Sequence, residues 1–177
     1  MLDWRSLAPP VVAMVVVVAA SNFAVQFPIN AWLTWGAFTY PVAFLVTDLT
    51  NRRKGPEAAR RVAYVGFALG VVLSAVVAGP RIALASGSAF LTSQLLDISV
   101  FNRLRQLSWW RAPLVSSALA SIWDTGVFFT LAFAGSGLPW TTWAIGDLGV
   151  KGTMALLLLA PFRALMGQLD ALAVPAR

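Results

Sequence analysis

Long apolar runs alternate with short polar joints along the whole chain. A helix needs about 20 predominantly apolar residues to cross the hydrocarbon core of a bilayer. Six runs approach or meet that length, and they predict helices over residues 10–27, 31–49, 61–79, 82–102, 112–134 and 143–166. Breakers mark the joints: Pro28 and Asn30, Gly55 with Pro56, Gly79 with Pro80, and Gly135, Ser136, Gly137 and Pro139. Six helices use up most of the sequence. The pattern therefore predicts one all-α transmembrane domain over residues 1–177, with no separate soluble domain. The first run also has features of a secretory leader, with a passable cleavage site at Val18, Ala19 and Ala20. Its start is barely basic, since Asp3 offsets Arg5. Pro9 and Pro10 suit a helix start, and the apolar run continues to Phe27. A retained first helix is the expectation.

Composition agrees with the pattern. Hydrophobic residues make up 59% of the chain and charged residues 11%, whereas soluble domains carry about 25% charged residues. The net charge of +6 would fit a nucleic-acid partner. However, the basic residues fall in the joints between apolar runs and not along a polar face, so a lipid bilayer is the expected surrounding and no nucleic acid is expected. Eleven of the 13 Lys and Arg lie at the N-terminus, in the second–third and fourth–fifth joints, or toward the C-terminal end. The other side has Arg81 and Lys151. The bias predicts that both termini are cytoplasmic. Tryptophans near the segment ends, Trp32, Trp35, Trp109, Trp110, Trp140 and Trp143, suit the headgroup level.

The absence of Cys and His removes disulfides, thiol nucleophiles, zinc motifs and a Ser-His pair. No P-loop is present, so the chain has no ATP site of that kind. No metal and no cofactor are expected. For an enzyme, an aspartate pair such as Asp97 and Asp124 would be the main remaining route, and no supporting motif surrounds either. The expectation is that the protein is not an enzyme.

The informative residues are polar ones inside apolar runs. Asp124 sits near the middle of the fifth run, where a charge costs at least ~2.5–3.5 kcal/mol on insertion scales. Ser117, Ser121, Asp124, Thr125 and Phe128 share one helical face, which should point into the bundle. Lys151 in the sixth run is a natural counter-charge, and an ion pair or independent roles both fit the spacing. Ser86, Phe90, Gln94 and Asp97 share a face of the fourth run, with Asn102 at its end. Asp48 ends the second run, four residues before Arg52, so a helix-end ion pair or a gate is expected there. Asn22 and Gln26, four apart, present amides on one face of the first helix, and Trp35, Phe38 and Tyr40 follow. Amides, a carboxylate and rings suit a flat polar heterocycle, although helix–helix hydrogen bonding would use the same amides. Gly66, Gly70, Ser74 and Ala78 form a small-residue stripe that permits close helix packing, within the chain or in a homo-oligomer.

Several of these residues carry a resemblance. The stretches "NFAVQFP", "TWGAFTYPVAFLVTDLTNRRKG", "SQLLDISVFNRLRQLSWWRAPLVSSALASIWDTGVFFTLAFAG" and "GDLGVKG" resemble the queuosine precursor transporter family, a six-helix group of vitamin-uptake type. The resemblance implies a multi-pass bacterial inner-membrane transporter that takes up 7-deazaguanines, such as 7-cyano-7-deazaguanine or its aminomethyl analogue. The family pattern covers Asn22, Gln26, Asp48, Gln94, Asp97, Asn102, Asp124 and Lys151. With the residue reading, the candidate substrate contacts are Asn22, Gln26, Trp35, Gln94, Asp97, Asp124 and Lys151, and Asp48, Arg52 and Asn102 are candidates for a gate or helix-end ion pair. A competing reading is a substrate-capture subunit docking on a separate ATPase. Ala20 and Ala24 offer a docking motif for it, but toward the predicted outer end.

Overall fold

A computed structural model describes residues 4–24, 27, 29, 30, 33 and 35–173. Among them the secondary structure is helical: α1 (Trp4–Ala24), α2 (Gly36–Thr39), α3 (Val42–Lys54), α4 (Pro56–Ala78), α5 (Pro80–Leu104), α6 (Arg111–Phe133), α7 (Trp140–Leu157) and α8 (Leu159–Ala173). Among the described residues, five stretches are long and apolar enough to cross a membrane: Arg5–Ala24, Pro56–Ala78, Pro80–Leu104, Arg111–Phe133 and Trp140–Gln168.

The same device starts α4 and α5. Gly55 and Gly79 each have φ of +85°, a left-handed conformation that costs glycine little, and a proline takes the first helical position of each helix. Proline's missing N–H is harmless there, because first-turn N–H groups have no partner inside a helix. A single residue can therefore separate successive helices.

Two other prolines break helices. The second apolar run, read as one helix over 31–49, is instead the short α2 and the 13-residue α3, with Tyr40 and Pro41 between them. Pro41 cannot donate a helical hydrogen bond, and its ring crowds the carbonyl four residues earlier. The amides of Ala43 and Phe44 bond the carbonyls of Tyr40 and Pro41, in tight i to i+3 geometry. The sixth run is likewise divided at Leu158, three residues before Pro161, into α7 and α8.

Helix α5 occupies the centre, packed against α3, α4 and α6; α1 lies on α3 and α4, and α7 lies on α6. Met14, Val18, Ala43, Val62 and Phe90 join α1, α3, α4 and α5 in one apolar cluster. Phe101, Ala112 and Phe162 close the end near the basic joints. A Cβ on Gly66 would stand 2.8 Å from Met14 and 3.0 Å from Phe90, so glycine permits that close approach. The small-residue stripe thus meets α1 within the chain at Gly66 and Gly70. Outward, Val76, Ile145 and Leu84 are strongly exposed, a surface suited to hydrocarbon and not to water.

Candidate functional site

Most of the buried polar side chains fall into two groups stacked along α5 and α6. The first is built on Asp124, in the middle of α6. The Lys151 Nζ approaches Asp124 Oδ2 at 2.7 Å and Asp147 Oδ2 at 2.5 Å, and lies 3.1 Å from the hydroxyl of Thr125. Asp147 and Lys151 are four residues apart on α7, so one helical face presents both charges. The other oxygen of Asp124 accepts from the Tyr40 hydroxyl at 3.1 Å and from Ser93 at 3.2 Å. Thr125 donates to Asp147 at 2.8 Å. The Lys151 ammonium also stands 5.6 Å from the centre of the Tyr40 ring, within cation–π range. Two carboxylates thus share one ammonium. A charge buried in this way is tolerable only with such partners.

This network borders a cavity of about 640 Å³. Asn22, Tyr40, Ser86, Asp124, Asp147 and Lys151 supply polar groups, and Phe128, Phe129, Phe133 and Trp143 supply rings. Its lining reaches Ala78, Ile82 and Phe133, at the helix ends opposite the basic joints. The break at Pro41 helps to make the site: Tyr40 lies at the interruption with its hydroxyl turned to Asp124. Irregular backbone at membrane depth is tolerated where it lines a cavity.

The second group lies toward the basic joints. Asp48 and Asn51 on α3, Gln94 and Asp97 on α5, and Ser116 and Ser117 on α6 are all buried. Ser117 donates to Asp48 Oδ2 at 3.4 Å, Thr47 to Gln94 Oε1 at 2.8 Å, and the Asn51 amide to the carbonyl of Ile98 at 2.9 Å. Asp48 Oδ1, Asn51 Oδ1, Gln94 Nε2 and both oxygens of Asp97 have no hydrogen-bond partner. A cavity of about 20 Å³ adjoins this group, with Asp48, Ser117, Ser121 and Lys151 in its wall.

Of the residues anticipated from sequence, Asn22, Asp124 and Lys151 line the large cavity. The Asn22 amide donates to the carbonyl of Val18, leaving its oxygen available. Gln26 lies outside the described residues. Trp35 is exposed and packs on Phe38 with centroids 6.3 Å apart, away from the cavity wall. Gln94 and Asp97 belong to the second group. The helix-end pairing of Asp48 with Arg52 is not formed: Asp48 turns inward to Ser117, while Arg52 donates to the carbonyl of Arg105 at 2.5 Å. Arg105 returns a bond to the carbonyl of Arg52 at 3.1 Å and approaches Asn102 at 3.4 Å. A backbone carbonyl at a helix end is thus the acceptor that captures the guanidinium. The network also includes Asp147 and Ser93, which sequence reasoning did not place among the contacts, and Tyr40, which it named for its ring and not for the hydroxyl that reaches Asp124. The four-residue spacing of Asp147 and Lys151 was the available signal; nothing marked Ser93.

Several apolar helices and a charged, ring-lined cavity between them define a multi-pass membrane protein built to hold a solute. The chain belongs to the family described as "Putative vitamin uptake transporter", whose model matches residues 34–79 and 72–166. A probable queuosine precursor transporter of Haemophilus influenzae is 35% identical, over 82% of this chain and 79% of that protein. The queuosine precursor transporter of Escherichia coli is 37% identical, over 66% and 64%. A probable queuosine precursor transporter of Bacillus subtilis is 29% identical, over 58% and 57%. No solved structure matches the chain.

Proposed function

We propose that this protein takes up queuosine precursors across the bacterial inner membrane, with the cavity between α1, α5, α6 and α7 as the substrate site. Family membership and the relatives' names support the substrate class. The observation that carries the site is the shared ammonium at the cavity wall. Asp124 and Asp147 can accept from the N–H edge of a 7-deazaguanine, and Lys151 can donate to its carbonyl. Phe128, Phe129 and Trp143 offer apolar surface to the ring faces. The volume falls in the usual range of small-molecule sites, about 300–1,000 Å³. Docking on an ATPase module finds no support in the relatives' names.

Both termini are assigned to the cytoplasm from the basic bias, which turns the cavity outward. Reporter fusions at Gly55 and Gly137 should then report opposite sides. Uptake of labelled 7-cyano-7-deazaguanine by cells lacking their own transporter tests the function. Expression of this chain should produce saturable uptake that unlabelled 7-deazaguanines compete away. Uptake equal to that of empty cells would refute the reading.

A further inference from the structure

We propose that the Asp48–Asp97 cluster is a site for a monovalent cation that drives transport, occupied by a proton held between carboxyls or by Na⁺ in a cage of oxygens. The proposal rests on the transport reading but concerns a place outside the substrate cavity. Asp48 is 2% exposed and Asp97 is 0% exposed. Four unpartnered atoms, Asp48 Oδ1, Asn51 Oδ1 and the two oxygens of Asp97, are acceptors. The fifth unpartnered atom of the cluster, Gln94 Nε2, is a donor, so the unpartnered acceptors outnumber the unpartnered donors. A buried carboxylate without a partner is costly, and two together are costlier, so such a group either holds a proton or takes a cation.

Lys151 and several arginines near these helices are engaged elsewhere. The Lys151 ammonium is held by Asp124 and Asp147. Arg52 and Arg105 face each other's backbone carbonyls. Arg60 pairs with Glu57 at the start of α4. Arg111 lies over Trp110, and Arg163 over Trp109. The polar groups acting most directly on the two carboxyls are each other and the hydroxyls of Ser116 and Ser117. A cavity of about 20 Å³ borders the cluster on its Asp48 side, walled by Asp48, Ser117 and Ser121, and has room for a water. Among the described residues no cluster of three or more acidic groups marks a divalent site.

The cluster is placed to communicate with the substrate site. Lys151 stands in the wall of both cavities. On α5, Ser93 bonds Asp124, and Asp97 follows four residues later on the same face. Charge at one site therefore alters the field at the other, and coupling between two bound species is reciprocal.

The test uses the full chain in proteoliposomes. Exchange of labelled against unlabelled 7-cyano-7-deazaguanine needs no gradient and tests transport alone. Accumulation is then measured with an inward proton gradient or an inward Na⁺ gradient. For one cation per substrate, a tenfold inward gradient of the coupling cation should raise accumulation up to about tenfold, and the responsive gradient names the cation. Asp97→Asn and Asp48→Asn should retain exchange and lose the gradient response. Parent protein that exchanges but ignores both gradients would overturn the proposal, as would undiminished gradient-driven accumulation in Asp97→Asn. Absence of exchange in the parent would instead defeat the transport reading. The site is then judged by infrared spectra of the purified protein. A protonated-carboxyl band lost in Asp97→Asn but kept in Asp124→Asn supports the proton. A Na⁺-induced carboxylate shift with the same dependence supports Na⁺. Absence of both signals would refute the site.

Discussion

The two buried polar groups differ in what they lack. Around Asp124 each charge has a partner, and the adjacent cavity of about 640 Å³ offers the space. Around Asp48 and Asp97 the unpartnered acceptors outnumber the donors, and the cavity beside Asp48 is about 20 Å³. Both groups are built from α5 and α6 with a third helix, so the helices themselves do not account for the difference. The presence of Lys151 does. One ammonium makes two carboxylates stable beside an open cavity, and a substrate can then exchange hydrogen bonds with groups already held in place. The two carboxyls of the inner group have no ammonium paired with them, and the proposed cation would fill that role.

Removing the ammonium should break the contrast most strongly. Lys151→Met leaves Asp124 and Asp147 without their shared cation and should cost about 3–5 kcal/mol of stability, read as a lower unfolding midpoint in detergent. Asp97→Asn deletes no ion pair and should shift that midpoint far less. Equal losses in the two variants would mean that the groups are held together in the same way. Asp147→Asn sharpens the first group, since Lys151 keeps Asp124. It should cost about 1.5–3 kcal/mol, the worth of a hydrogen bond to a charged group. Tyr40→Phe removes one donor while Ser93 still serves the same oxygen, for about 0.5–1.5 kcal/mol in substrate binding. Trp35→Ala, outside the cavity wall, should stay within about 0.5 kcal/mol by the same binding measurement.

The helical runs were legible because length and hydropathy alone distinguish a membrane span. The breaks at Pro41 and Leu158 were not, although Pro41 and Pro161 stand in plain view. A proline inside a membrane helix can be absorbed as a kink, and only packing decides whether the helix interrupts. Asp124 and Lys151 were legible because a charge in an apolar run has to be explained. Ser93 was not, since a serine in such a helix commonly bonds its own backbone, as Ser93 also does to Phe90 at 3.1 Å. Asp48 misled for a related reason. Its spacing to Arg52 fits a helix-end pair, but the spacing does not reveal the carbonyl of Arg105 across the joint.

The central claim is that Asp124 receives the donor edge of the substrate. The most direct measurement is equilibrium binding of labelled 7-cyano-7-deazaguanine to purified parent protein and to Asp124→Asn. The asparagine keeps the shape but turns one acceptor into a donor. It should weaken binding by about 1–3 kcal/mol, roughly 5- to 150-fold in Kd, while Asp97→Asn binds as the parent does. Parent-like binding by Asp124→Asn, with the loss appearing in Asp97→Asn, would contradict the assignment and move the substrate site to the inner cluster.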